Sequence, residues 1–570
     1  MERPPGGVAH DDAPPTFGRL SPRAPRGRLV GGIPDNGLVT APSSLGAVVP
    51  EAARRRTFAV ISHPDAGKST LTEALALHAR VINEAGAIHG KAGRKSTVSD
   101  WMDMEKARGI SISSAALQFA YDGAVVNLLD TPGHADFSED TYRVLSAVDS
   151  AVMLLDAAKG LEAQTMKLFD VCRHRAIPVL TVVNKWDRPG LTALELMDSV
   201  HERTRLLPTP LTWPVGIAGD FRGVLDRSTG EFVRFLRTAG GATVAPEERM
   251  SAERALAEEG EAWETAVEES ELLTAMGQDH DRSAFLDGRT TPVLFGSAVL
   301  NFGVRLLLDV LLAEAPAPGA REDIDGVARK VDAPFSAFVF KVQAGMDTAH
   351  RDRLAYVRVC SGVFERGAVV THAATGKPFA TKYAQQVFGR ERTTIDLAYP
   401  GDVVGLVNAS ALRVGDSLYL EEPVVFPPIP SFAPEHFAVC RAVDTGRYKQ
   451  FRRGIEQLEQ EGVVQVLRSE RRGDQAPVLA AVGPMQFEVA EHRMANEFTA
   501  PVTLDRLEYS LARQTATEWR KVLDAESGVE VLERASDGAL LALFAGNWRL
   551  ARVERDHAGV VLTPLVAASA

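Results

Sequence analysis

The residues specify a multidomain chain: an α/β domain built on a mostly parallel sheet, then a β-barrel domain, then a smaller α+β domain. Three observations lead there. Apolar, strand-like runs alternate with helical segments from Arg56 to about Ala317, and such alternation builds a parallel sheet with helices on both faces. From 333 to 420 the apolar runs shorten and glycines punctuate them, the pattern of a small antiparallel barrel. Two proline groups separate the parts: Pro316 with Pro318, and Pro423, Pro427, Pro428 and Pro430. The 570 residues allow three or four domains at a prior of about 150 residues each.

Composition narrows the class further. Hydrophobic residues make up 45% and charged residues 24%, which supplies several cores and argues against a wholly disordered chain. The formal net charge of -12 disfavours a binder that holds nucleic acid by charge alone, though a local patch can still do so. Cys172, Cys360 and Cys440 are far apart. They have neither zinc spacing nor a disulfide framework, and read as small buried hydrophobes. No apolar run reaches membrane-spanning length.

Taken in order, residues 1–52 are rich in Pro and Gly. They read as a disordered extension or an incorrectly assigned start. Residues 53–317 form the α/β domain. Its strands are expected at Thr57–Ser62, from Val125, from Ser150, from Ile177 and from Thr291, with a helix from Thr70. Residues 188–290 are an insertion before the last strand, and 246–276 within it is a Glu-rich helical stretch. The barrel is expected over 318–430. Residues 431–570 mix strands with helical runs at Lys449–Gly462 and Gly483–Phe498.

The chemistry concentrates at strand ends. Ser62-His-Pro-Asp-Ala-Gly67-Lys68-Ser69 joins the first strand to the first helix. It fits the phosphate-loop pattern except that Ser62 stands where glycine is usual. Asp65, Ala66, Gly67, Lys68, Ser69 and Thr70 would line a cradle of backbone N–H groups at a helix N-terminus. Lys68 neutralises phosphate, and Ser69 offers a hydroxyl to Mg²⁺. Asp130-Thr-Pro-Gly133-His134 follows another strong strand. Asp130 can hold Mg²⁺ through water, and the Gly133 N–H is available to a γ-phosphate; a plain turn is the other reading. Asn184-Lys185-Trp186-Asp187 follows a third strand. The Asp187 carboxylate can accept from guanine N1 and N2 together, a pair adenine does not offer. Asn184 reaches the other ring edge, and the Lys185 stem packs along the base. After the last strand, Ser297-Ala298 can present an N–H to guanine O6.

In this order, these motifs resemble the translational GTPase family. Arg108-Gly-Ile-Ser111 is similar to its first switch, with Ser111 in place of threonine as the residue that reaches Mg²⁺. His134 matches the family position that orients the attacking water. Ser62-His-Pro, Ser99-Asp-Trp-Met-Asp-Met-Glu-Lys-Ala-Arg-Gly-Ile-Ser, Asp130 through Arg143, and Gly483-Pro-Met-Gln-Phe-Glu-Val resemble the branch that acts in translation termination, over residues 54–560. The departures at Ser69 and Trp186 remove no functional group.

The resemblance implies a ribosome-dependent GTPase of the cytoplasm, a monomer in solution with no membrane partner. It would bind GTP or GDP with Mg²⁺, engage the 70S ribosome with its RNA and proteins, and dissociate class I peptide chain release factors after peptide release. His134, Lys68 and Gly133 would act in catalysis, and Ser69, Ser111 and Asp130 would serve the metal. Whether His134 takes a proton or only positions water stays open. Asp65 is either a ligand for a monovalent cation or a carboxylate that shapes the loop. Two basic groups either face ribosomal RNA phosphates or are simply solvated: Lys91, Arg94, Lys95, Lys106 and Arg108, and Arg447, Lys449, Arg452 and Arg453. The rival readings are an elongation factor G-like translocase, a non-catalytic guanine-nucleotide switch and an aminoacyl-tRNA carrier.

Overall fold

β1 (Arg55–Ser62) is the centre of the first domain. It pairs in parallel with β3 (Ala124–Asp130) on one side and β4 (Ser150–Asp156) on the other. Phe58-Ala-Val-Ile is fully buried because both faces of a parallel sheet carry helices, so the strand reads as a continuous apolar run. β2 (Ala115–Tyr121) joins β3 as a hairpin. Its turn residues Asp122 and Gly123 both have positive φ, the two-residue turn that matches strand twist. β5 (Val179–Asn184) continues the sheet. The insertion supplies β6 (Leu207–Pro210), β7 (Thr212–Val215), β8 (Gly223–Asp226), β9 (Glu231–Phe235) and β10 (Glu247–Met250), and β11 (Thr290–Phe295) follows. The main sheet runs β2-β3-β1-β4-β5-β11-β6. Strand order reverses at β1, so the C-terminal ends of β1, β3, β5 and β11 open onto one crevice, where open α/β sheets bind ligands.

The structure is a computed structural model that describes residues 47–80, 105, 114–238, 243–344, 353–388, 391–429, 432–469 and 472–565. All of them belong to one compact body. The helix after β1 begins at Lys68 rather than Thr70 and ends at His78. Its Leu71, Ala74 and Leu75 pack with Leu308 and Leu311 of the helix Val304–Glu314.

Residues 48–52 correct the expectation of a disordered stretch up to 52. Val48–Ala53 is a helix with Val48 and Ala52 buried. Glu51 pairs with Arg55 at 2.7 Å, and Arg55 also pairs with Asp402 at 2.9 Å. The rest of the expected extension, 1–46, lies outside the described residues.

The insertion folds β7 to β10 into its own antiparallel sheet. Its Glu-rich stretch opens with a strand, β10, followed by the helices Ala252–Glu259 and Glu261–Ala275. Those helices bury Ala255, Trp263, Ala266 and Leu273 against Trp213 and Phe232.

The second domain is an eight-stranded antiparallel sheet spanning Ser336–Ala344 to Ser417–Tyr419, with a small two-stranded pair of Phe364–Glu365 and Leu397–Ala398. It curls round a core that includes Val339, Val357, Val359 and Leu406. Lys377–Ala380 and Glu391–Thr394 are its outermost strands, so it is a half-barrel rather than a closed barrel. The third part is an eight-stranded sheet with the helices Tyr448–Glu461 and Pro484–Asn496 in its first half and Arg520–Ala525 and Asn547–Asp556 in its second. All three cysteines are buried free thiols.

Charged side chains seal the seams between domains. Arg358, 1% exposed, donates to Asp149 at 2.7 Å and to the Ala147 carbonyl at 2.5 Å. Lys341 donates to Ser114 Oγ at 2.7 Å. Arg143 donates to the Glu461 carbonyl at 3.1 Å.

Candidate nucleotide site

The loop after β1 winds tightly before its helix. Asp65 takes φ 65° and Gly67 φ 97°. At Gly67 a Cβ would lie 2.5 Å from Asn184 Nδ2, so only glycine serves both the left-handed backbone and the close approach. Ala66, Gly67 and Lys68 lead into the helix; Ser69 and Thr70 lie half-buried in its first turn. Asp65 is exposed, and its carbonyl accepts from Lys185. Lys68 Nζ donates to Asp130 Oδ1 at 2.6 Å, and both side chains are buried. The loops after β1 and β3 therefore meet through an ion pair.

His63, which the motif reading left unassigned, is buried, with Glu162 3.7 Å from its Nε2. Burial pushes the pKa of its imidazole down.

Asn184 at the end of β5 joins three loops. Its Nδ2 donates to the Ala66 carbonyl at 2.8 Å, and its Oδ1 accepts the Ala298 N–H at 2.8 Å. Lys185, at φ 64°, donates to Asp156 Oδ2 at 2.8 Å. Burial opposes the Asp156 charge, but Lys185 and the Ala158 N–H hold its carboxyl below the usual range. Asp156 was missed in the sequence; like Asp130, it is a carboxylate at the end of a strand. Trp186 is buried edge-on to Phe295 at 4.9 Å. Next to it, Asp187 has a buried Oδ1 with no hydrogen-bond partner among the described residues. Ser297 Oγ is likewise buried without one. Buried acceptors are costly when unpaired, and a ligand with N–H groups could supply the missing donors.

Gly133 faces the phosphate loop: a Cβ there would lie 3.5 Å from Pro64 Cα. His134 follows it, one-third exposed, with Nδ1 3.2 Å from Asp136 Oδ1. Ser111 lies outside the described residues, as do Lys91, Arg94, Lys95, Lys106 and Arg108. Arg447, Lys449, Arg452 and Arg453 are exposed at and just before the start of the helix Tyr448–Glu461. Among the described residues no cluster of three or more His, Cys, Asp or Glu forms a metal cage. Hydroxyl and carboxylate groups beside a phosphate cradle suit Mg²⁺, which keeps several waters and binds through few protein ligands plus phosphate.

Comparison with known proteins agrees with this geometry. Residues 53–317 match the family model described as elongation factor Tu GTP binding domain. Residues 334–421 match elongation factor G domain 2, and 426–554 match class II release factor RF3, C-terminal domain. The chain is 48% identical to the peptide chain release factor 3 of Gloeobacter violaceus, over 87% of this chain and 95% of that one. It is 45% identical to the one from Synechocystis, over 90% and 95%, and 44% identical to the one from Symbiobacterium thermophilum, over 89% and 97%. A crystal structure from Thermus thermophilus shares the fold, with a TM-score of 0.65 at 20% identity, covering 86% of this chain and 72% of that one.

Proposed function

The chain belongs to the peptide chain release factor 3 family of translational GTPases, and we propose that it hydrolyses GTP on the 70S ribosome and drives class I release factors off after peptide release. Its GTP-binding domain is the part from 53 to 317. The observation that carries the reading is the convergence of Lys68, Asp130 and Asn184, joined through the Lys68–Asp130 pair and the Asn184–Ala66 bond, with the open Asp187 acceptor three residues from Asn184.

Each residue then has a task. Asp187 Oδ1 takes the guanine N–H donors. Asn184 holds the guanine loop against the phosphate loop, and the Ala298 N–H, which donates to Asn184 Oδ1, would turn to the base oxygen on nucleotide binding. Lys68 exchanges Asp130 for phosphate oxygens. The hydroxyl of Ser69, with Ser111 and Asp130, would hold Mg²⁺, which when bound offsets phosphate charge. The Gly133 N–H senses the γ-phosphate, and His134 positions the water. Phosphoryl transfer to water gains chiefly from such positioning and from electrostatics.

Domain seating fits the same reading. The helix Ser138–Leu145, which follows His134, is clasped by the second domain through Lys341, 3.7 Å from Asp140, and by the third through Arg143. A ribosome that moves those domains reaches the hydrolytic residues directly. GTP turnover with and without 70S ribosomes tests the reading. Strong stimulation supports it, and equal slow turnover in both leaves a guanine-nucleotide switch.

A further inference from the structure

Asp136 ties His134 to a helix of the third domain. One carboxylate oxygen lies 3.2 Å from His134 Nδ1, and the Asp136 N–H lies 3.3 Å from the same nitrogen. The other oxygen accepts the Met485 N–H at 2.6 Å across 349 residues of sequence. Met485 lies in the first turn of the helix Pro484–Asn496, where N–H groups lack partners within the helix and negative charge is favoured. The Gln486 side chain accepts from Val482 and Gly483, so the carboxylate takes the next donor.

Gly483 makes room. Its backbone is extended, φ -140°, so conformation does not require glycine. Space does: an added Cβ would fall inside contact distance of the Asp136 carboxylate. Beneath it, Phe137 and Val489 bury against each other. The Gly483-Pro-Met-Gln turn is thus a socket shaped for this carboxylate.

We propose that Asp136 is a positioning residue for His134, and that seating of the third domain, through Gly483 and the Met485 N–H, sets it. The proposal rests on the reading of His134 as the water-positioning group. An imidazole nitrogen either accepts or donates. If Nδ1 accepts from the Asp136 N–H, Nε2 carries the proton; if Nδ1 donates to the carboxylate, Nε2 offers its lone pair to water. Here Nδ1 accepts from the Asp136 N–H, and pinning one oxygen on Met485 keeps the other 3.2 Å from Nδ1, ready to favour the second tautomer. Withdrawal of the third domain releases the carboxylate, and with it the imidazole. Hydrolysis then follows domain seating with no change at the nucleotide contacts.

The test uses the full chain with 70S ribosomes. Asp136→Asn and Gly483→Ala are made singly and in a His134→Ala background. Nucleotide affinity, the KM for ribosomes and kcat are measured for each. Each single variant should lose about 10²-fold in kcat, the scale of a misplaced catalytic group, with nucleotide affinity and KM unchanged. Neither should lose more in the His134→Ala background. Parental kcat in both single variants, beside a crippled His134→Ala, overturns the proposal. So does an undiminished further loss in that background. If His134→Ala itself turns over normally, the water-positioning reading falls and this proposal with it. Should Gly483→Ala lose nucleotide affinity through misfolding, the isosteric Asp136→Asn decides alone.

Discussion

Asn184 donates to the Ala66 carbonyl at 2.8 Å, so the loop after β5 braces the loop after β1 directly. Its other amide atom accepts from Ala298. Replacing Asn184 with Ala removes both bonds, at about 1 kcal/mol each. GTP and GDP should weaken together, by about 30-fold. Fluorescent-nucleotide titration checks this, and a loss confined to one nucleotide would contradict it.

Asp187→Asn exchanges the unpartnered acceptor for a mixed amide. Binding of GTP and GDP should weaken by roughly 1.5–3 kcal/mol, with preference moving toward xanthine nucleotide. Unchanged GTP affinity would remove Asp187 from the base contacts.

The N-terminal region divides at residue 47. On composition, loss of 1–46 should leave ribosome-stimulated turnover near parental. Loss of 1–53 also strips the buried Val48 and Ala52 and the Glu51 partner of Arg55. Burying those apolar groups is worth about 2 kcal/mol, so the shorter chain should melt about 2 °C lower. Equal melting temperatures would mean that the helix contributes nothing.

How much of this was open to inspection in the residues follows from distance along the chain. The loops after β1 and β5 were legible as strand-end segments because each candidate motif is contiguous in the chain. The parallel sheet was legible from its apolar runs. The helix Val48–Ala53 was not, since six residues carry too little periodicity and Val48 and Ala52 are buried only by tertiary contacts. Nor was β10, whose Glu247-Glu248-Arg249 has no strand-like alternation. It is held by pairing with β9, Glu248 opposite Arg234. The seams were out of reach for the same reason: Arg358 and Asp149 are 209 residues apart, and Asp136 and Met485 are 349 apart. The Asp136 segment was singled out, yet nothing local says what its carboxylate touches.

The Arg358–Asp149 seam offers a stability test. Arg358→Met leaves a largely buried carboxylate whose nearest remaining cation among the described residues is Arg321, 3.7 Å away. Removing one partner of a buried pair costs about 3 kcal/mol. Hydrogen exchange should quicken in residues 146–149 and in the strand Arg353–Ser361, while nucleotide affinity holds. Unchanged exchange there would mean that the pair does not secure the seam.

Glu459 gives a pH dependence. Burial pushes its carboxyl up to about 7 from an ordinary 4.5, and its Oε1 has no hydrogen-bond partner among the described residues. Between those values the folded chain holds a proton that the unfolded chain has released. Its contribution to stability is therefore full below about 4.5, falls as pH rises to about 7, and is absent above. Glu459→Gln should match the parent near pH 5 and melt higher near pH 8. Parallel melting curves across that range would contradict the assignment.

Release of a labelled class I factor from post-termination ribosomes tests the proposed function most directly. The parent and His134→Ala are compared, with hydrolysis followed in the same single-turnover reaction. Both should release the factor once, because GTP-bound seating drives it. The variant should bind GTP normally, hydrolyse about 10²–10⁴-fold more slowly, and stay on the ribosome. Rapid hydrolysis by the parent without any release of labelled factor would contradict the proposal.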